Sequence, residues 1–103
     1  VMEERLLDAS LVPLEIMEHA SAMLGILEIL GDKGSRLAVS DVGVGVQFIR
    51  TALLGAVMNV YINTRSMKDR EKAEELNARA GKLIEEGTAW ADRIYARVLD
   101  QLR

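Results

Sequence analysis

Residues 38–46 read AVSDVGVGV, and the reading of these nine residues decides the fold. Alternating valines and glycines resemble a strand, and β-branching favours one. A G-x-G also opens phosphate-binding loops, where glycine lets the backbone approach an anion. Ser40 and Asp41, in contrast, are the residue types that cap helix N-termini, and an Asp there complements the helix dipole.

The residues on either side decide among the three. From Val42 to Asn63 the sequence carries one charge, Arg50, and no turn signal. A run of about twenty residues exceeds an ordinary strand. The third glycine of G-x-G-x-x-G would fall at Phe48, and no lysine follows as in a P-loop. Read at helical spacing, Asp41, Gly45, Phe48, Ala52, Gly55, Asn59 and Asn63 fall on one stripe. Val42, Val46, Ile49, Leu53, Val57 and Val60 flank it. A helix apolar nearly all round belongs at the centre of a bundle. Gly43 and Gly45, with Ala52, Gly55 and Ala56, then make a small-residue face that lets another helix come close.

Upstream, VMEERLLDAS has the spacing of a helix tail, and Pro13 interrupts it. Proline fits a first turn or a kink, and Ser10 is a candidate N-cap before it. Residues 14–30 form a second helix whose wet stripe is narrow: Glu15, Glu18, His19 and Glu28. A helix with so thin a polar face is expected to be mostly buried. Gly31 reads as its stop, and GDKGSRL at 31–37 as the clearest loop. Downstream, residues 67–103 make a long amphipathic helix with Ala73, Leu76, Ala80, Leu83, Ile84, Gly87, Ala91, Ile94, Val98 and Leu102 on one face. Gly81 and Gly87 are expected to soften it.

The 103 residues therefore read as one all-α domain, a multihelical bundle with a buried central helix. Two strongly apolar helices and one amphipathic partner leave more apolar surface than a monomer hides, so an oligomer or a missing half is expected. The chain has no cysteine, which excludes disulfides and thiolate metal sites. A net charge of −3 argues against nucleic acid as a partner, since phosphate binding needs a basic face. No secretory pattern is seen, and the uncharged run 51–64 is too short to span a bilayer. A soluble, cytoplasmic protein without membrane attachment is expected.

Few residues carry chemistry. Asn59 and Asn63 lie one turn apart on a hydrophobic helix, and buried amides must find hydrogen-bond partners. They either pair across a helix interface or line a polar pocket. Glu15, Glu18 and His19 share a face at metal-ligand spacing, yet a di-metal helical site needs matched residues from other helices, and a solvated face is the simpler reading.

VPLE at 12–15, SDVGVG at 40–45 and NVYIN at 59–63, in that order and spacing, resemble the cyclodeaminase/cyclohydrolase family of folate enzymes. The resemblance implies an all-helical intimate homodimer in which SDVGVGV is the capped start of the long central helix. It implies that residues 1–103 are the C-terminal half of a longer domain. It implies a tetrahydrofolate derivative as substrate and no prosthetic group. The reaction would be hydrolysis of 5,10-methenyltetrahydrofolate to 10-formyltetrahydrofolate, or the ammonia-expelling cyclodeaminase step, a lyase reaction. A non-catalytic folate-binding or oligomerisation module is the remaining alternative. Carried over by position, Asp41 is the candidate acid/base, and Ser40, Asn59 and Asn63 are candidate substrate contacts; no metal ligand is implied.

Overall fold

The structure, a computed structural model, describes residues 2–33 and 36–103, with the side chains of 31–33 and 36–38 outside that description. Among the described residues there are three α-helices and no strand: α1 Met2–Lys33, α2 Arg36–Thr64 and α3 Arg70–Leu102. The three helices run side by side as a rod of 52 × 18 × 16 Å. Its radius of gyration is 16.1 Å, against about 13 Å for a compact chain of this length.

α2 lies between the other two, while α1 and α3 meet more sparingly. It runs antiparallel to both. Asn63 reaches Ala9 and Gly45 faces Leu27 on α1. Gly43 faces Val98, Leu53 faces Gly87, and Tyr61 faces Gly81 on α3. The core is the apolar stripe of each helix: Leu14, Met17 and Leu24 from α1, Val42, Val46, Leu53 and Val60 from α2, and Leu76, Ala91 and Ile94 from α3. The two stripes read from the sequence thus separate as burial separates them. Val42, Val46, Ile49, Leu53, Val57 and Val60 are all buried, whereas Asp41, Phe48, Ala52, Gly55 and Asn59 are exposed.

Two glycines set how near α3 comes to α2. A Cβ on Gly87 would stand 2.7 Å from Leu53 Cδ1, and one on Gly43 would stand 2.9 Å from Val98 Cγ1. Gly87 is buried contact rather than a soft point, and α3 runs through it unbroken. Gly55, by contrast, has nothing within 4 Å of its Cβ direction. The small residues of α2 therefore serve two different sides of the helix.

Several boundaries differ from the sequence reading. α1 passes straight through Pro13 as one helix of 32 residues. Ser10 is no cap: it is fully buried and its hydroxyl donates back to the Leu6 carbonyl at 2.8 Å. Gly31 does not end α1, which continues to Lys33. Of the loop expected at 31–37, Gly34 and Ser35 lie outside the described residues. α2 begins at Arg36, so Ser40 and Asp41 sit inside the helix rather than capping it. The physical reason is that nothing in residues 36–39 opposes helix, and Val39 gains burial by joining it.

The expected burial of α1 and α2 is only half realised. Val12, Ile16, Met23 and Ile26 on α1, and Val44, Phe48, Met58 and Ile62 on α2, are at least half exposed. By length and composition, the stretches Met2–Leu30 and Val39–Thr64 are also long and apolar enough to cross a bilayer, a wider window than residues 51–64.

Candidate functional site

The four sequence candidates fall at the two ends of one helix. Ser40 and Asp41 stand near the start of α2, Asn59 and Asn63 near its end. Eighteen residues of helix separate Asp41 from Asn59, about 27 Å at 1.5 Å per residue. One chain does not bring the two pairs together.

At the start of α2, the close approach at Gly43 carries the end of α3 alongside and leaves a groove beside it. Its volume is about 400 Å³. Gly43, Val44, Phe48, Val98, Leu99 and Leu102 give it apolar walls, and Ser40, Gln47, Thr51 and Tyr95 supply hydrogen-bonding groups. Ligand sites generally combine such an apolar lining with a few polar groups. No carboxylate or ammonium is among the lining residues; Asp41 is exposed beside it on the next helical position. The sequence reading reached Ser40 here but missed Gln47, Thr51 and Tyr95. The signal available was the repeat of polar residues at 40, 47 and 51 along one face of α2. The contribution of α3 depended on its antiparallel packing.

At the other end of α2 the polar groups are tied together. Asn63 donates its amide to the Ala9 carbonyl at 3.0 Å and to the Asn59 carbonyl at 2.8 Å. Ala9 is the residue four before Pro13, which has no N–H to give it. The amide of α2 thus supplies the hydrogen bond that the proline removed from α1. This is how α1 tolerates a proline in its interior. Thr64, fully buried, donates its hydroxyl to Asn77 Oδ1 at 2.6 Å. Arg70 donates to the carbonyls of Thr64 and Met67 at 2.8 and 3.0 Å, tying the end of α2 to the turn after it, where Thr64 also accepts from Met67 N at 3.1 Å. Glu3, from the start of α1, accepts from the backbone N–H groups of Lys68 and Asp69 at 2.7 and 2.8 Å. Those two backbone bonds hold its carboxyl below the ordinary carboxylate value. Asp69 in turn caps α3 by accepting from Lys72 N at 3.0 Å. Of the two open readings for the Asn pair, Asn63 takes the one of bonding across a helix interface. The Asn59 side chain is exposed beside that bond.

Among the described residues, two ion pairs join α1 to α3. Glu28 accepts from the Trp90 indole N–H at 3.1 Å and from Arg97, and these, the indole first, lower its pKa. Glu18 pairs with Arg79 of α3, while Glu15 and His19 stay exposed. The Glu15–Glu18–His19 trio is therefore split, with one member committed to α3.

With this geometry in hand, the chain can be set beside known proteins. Residues 1–82 match a family described as formiminotransferase-cyclodeaminase. A methenyltetrahydrofolate cyclohydrolase of Methylorubrum extorquens is 34% identical over 97 residues, which are 94% of this chain and 47% of that protein. A formimidoyltransferase-cyclodeaminase of Rattus norvegicus is 31% identical over 90 residues, 87% of this chain and 17% of that protein. One of Sus scrofa is 30% identical over 101 residues, 98% of this chain and 18% of that protein. The chain thus spans about half the length of the first relative and under a fifth of the others. The α3 wall of the groove, from Tyr95 onward, lies beyond the residues matched by the family.

Proposed function

The chain belongs to the formiminotransferase-cyclodeaminase family, and on that premise we propose that it works in a folate one-carbon enzyme that hydrolyses 5,10-methenyltetrahydrofolate to 10-formyltetrahydrofolate. The observation that carries this reading is the 34% identity over 97 residues with a protein named methenyltetrahydrofolate cyclohydrolase. That alignment takes in nearly the whole chain and so extends into the part of α3 that the family match leaves out. The names of the mammalian relatives favour the second reading, cyclodeamination of a formimino substrate.

In the hydrolysis, water adds to the bridging carbon between N5 and N10. The bond from that carbon to N5 then breaks, N5 takes up a proton, and the formyl group stays on N10. One proton is released overall. The step needs a group that accepts a proton from water and gives one to N5. Asp41, exposed and one residue on from Ser40 of the groove lining, is the carboxylate we assign to that work. Phe48 and Tyr95 suit a flat ring, and Ser40, Gln47 and Thr51 suit its polar edge. Asn59 and Asn63 Oδ1 would meet substrate at the far end of α2. The enzyme is proposed to be cytoplasmic, a homodimer, and built with a further segment of polypeptide that completes the domain.

The test is loss of the methenyl chromophore, followed by absorbance, with this chain and with Asp41→Asn. Turnover above the uncatalysed rate that falls at least about 100-fold in the variant supports Asp41 as acid/base. Turnover unchanged by the substitution removes it from that role. Ammonia release from 5-formiminotetrahydrofolate without methenyl hydrolysis selects the second reading.

A further inference from the structure

The groove beside Gly43 is set apart by what its walls lack. Ten residues line it, and none carries a formal charge. Arg50, next to Thr51 in the chain, is paired with Asp92 at 2.9 Å. The groove also brings together two of the chain's four aromatic side chains, Phe48 from α2 and Tyr95 from α3. Phe48 is 72% exposed, the barest large apolar side chain among the described residues. A single exposed apolar residue is ordinary. A bare ring that walls a cavity together with a second ring is a surface a ligand can use.

The lining narrows what that ligand can be. With no ammonium or guanidinium in the walls, nothing there holds a carboxylate or a phosphate. A compact ammonium would shed its water and meet no carboxylate in exchange. A flat cation with its charge spread over several atoms is held differently. Its faces suit apolar walls, and aromatic faces carry negative potential that attracts it. Ser40, Gln47 and Thr51 offer oxygens that accept from N–H groups at its edge. Asp41, exposed beside Ser40 in the chain, adds a negative charge next to the lining.

We infer that Phe48 and Tyr95 select for a flat, delocalised cation, and that this cation is the bridge between N5 and N10 of the folate substrate. The inference rests on the proposed function and deepens it. The methenyl bridge carries one positive charge shared by its two nitrogens. Hydrolysis removes that charge, because the formyl product is neutral at the same place. The rings thus favour substrate over product. In the second reading the protonated formimino group is also an amidinium, and the methenyl product keeps the charge, so the rings would hold both. In either reading the charge is present before any bond breaks. Phe48 and Tyr95 therefore act on binding, and proton transfer stays with the acid/base.

The test titrates the chain with N-methylquinolinium and with lepidine, a methylquinoline of the same size that is uncharged in mildly alkaline buffer. The cation is expected to bind at least about 10-fold more tightly. Phe48→Leu and Tyr95→Leu should each cut that preference to about 3-fold or less, while Tyr95→Phe, which keeps the face and loses the hydroxyl, preserves it. Salt separates the rings from the acid, since attraction to an exposed carboxylate is screened and contact with a ring face is not. Equal affinity for the two probes, or no binding of either, overturns the inference. So does a preference that disappears at high salt or in Asp41→Asn, or one that survives the loss of both rings. In the methenyl assay Phe48→Leu should raise KM at least about 3-fold and leave kcat within about 2-fold; a fall in kcat at constant KM overturns the binding role. The probes need no turnover. A chain that prefers the cation yet hydrolyses nothing keeps the selectivity of the rings and overturns the proposed reaction.

Discussion

The two ends of α2 are built on different principles. At its end, near Asn63, the helix is held by directed polar contacts: Asn63 to Ala9, Thr64 to Asn77, Arg70 to the last carbonyls, and Glu3 to the start of α3. At its start, near Ser40, it is held by apolar contact with α3, set by Gly43 against Val98, and a groove stands open beside it. Directed hydrogen bonds fix one geometry, and apolar contact tolerates adjustment. The adjustable end is thus the one beside the groove.

Gly43→Val strikes the apolar end and should have the largest effect on stability. Its Cβ would fall 2.9 Å from Val98 Cγ1, on a stiff branched side chain, with two methyl carbons still to fit. Overpacking of this kind costs about 2–3 kcal/mol. Urea titration measures it. A loss under ~0.5 kcal/mol would show that α3 slides freely there and that the close approach is incidental.

Asn63→Ala strikes the tied end and should cost about 0.5–1.5 kcal/mol, because water can reach the exposed Ala9 carbonyl once its donor is gone. The sharper experiment is the cycle with Pro13→Ala. Alanine at 13 restores an N–H four residues after Ala9, so Asn63→Ala should cost at least about 0.5 kcal/mol less in that background. Equal costs in both backgrounds would mean that the amide and the proline are unconnected.

Glu3→Gln should give the smallest effect, and one that depends on pH. The carboxyl is held below its ordinary value in the fold, so the folded state binds fewer protons than the unfolded chain. Its contribution is present above the unfolded pKa and is lost as pH falls through the lower, folded one. The melting temperature of Glu3→Gln should therefore lie below that of the parent near neutral pH and meet it once the pH has fallen below the lowered, folded pKa. A gap that persists into acid would assign the effect to lost hydrogen bonds rather than to charge.

How much of this the sequence carried can be traced residue by residue. The inner stripe Val42 to Val60 and the α3 face from Ala73 to Val98 were legible because helical spacing alone places them. Pro13 was not, since its remedy is an asparagine fifty residues away that no local rule connects to it. Ser10 looked like a cap because its type favours caps, yet the same hydroxyl can bond back to the preceding turn. Ser40 and Asp41 misled in the same way. Asp41, Asn59 and Asn63 were legible as one stripe, but a stripe on a straight helix says nothing of how far apart its members lie. The exposed apolar residues of α1 and α2 were half legible. Hydropathy marks what avoids water but not which neighbour removes it from water.

The hydrogen bond from Asn63 to Ala9 also bears on the order in which the chain can assemble. An isolated peptide of residues 2–33 has a carbonyl at Ala9 that nothing within it can satisfy, and its helix should fray on the N-terminal side of Pro13. Only when the far end of α2 arrives is that turn completed, and with it the placement of Glu3 over the start of α3. The first ten residues are thus helical on condition, and their helicity reports whether a segment fifty positions later has docked.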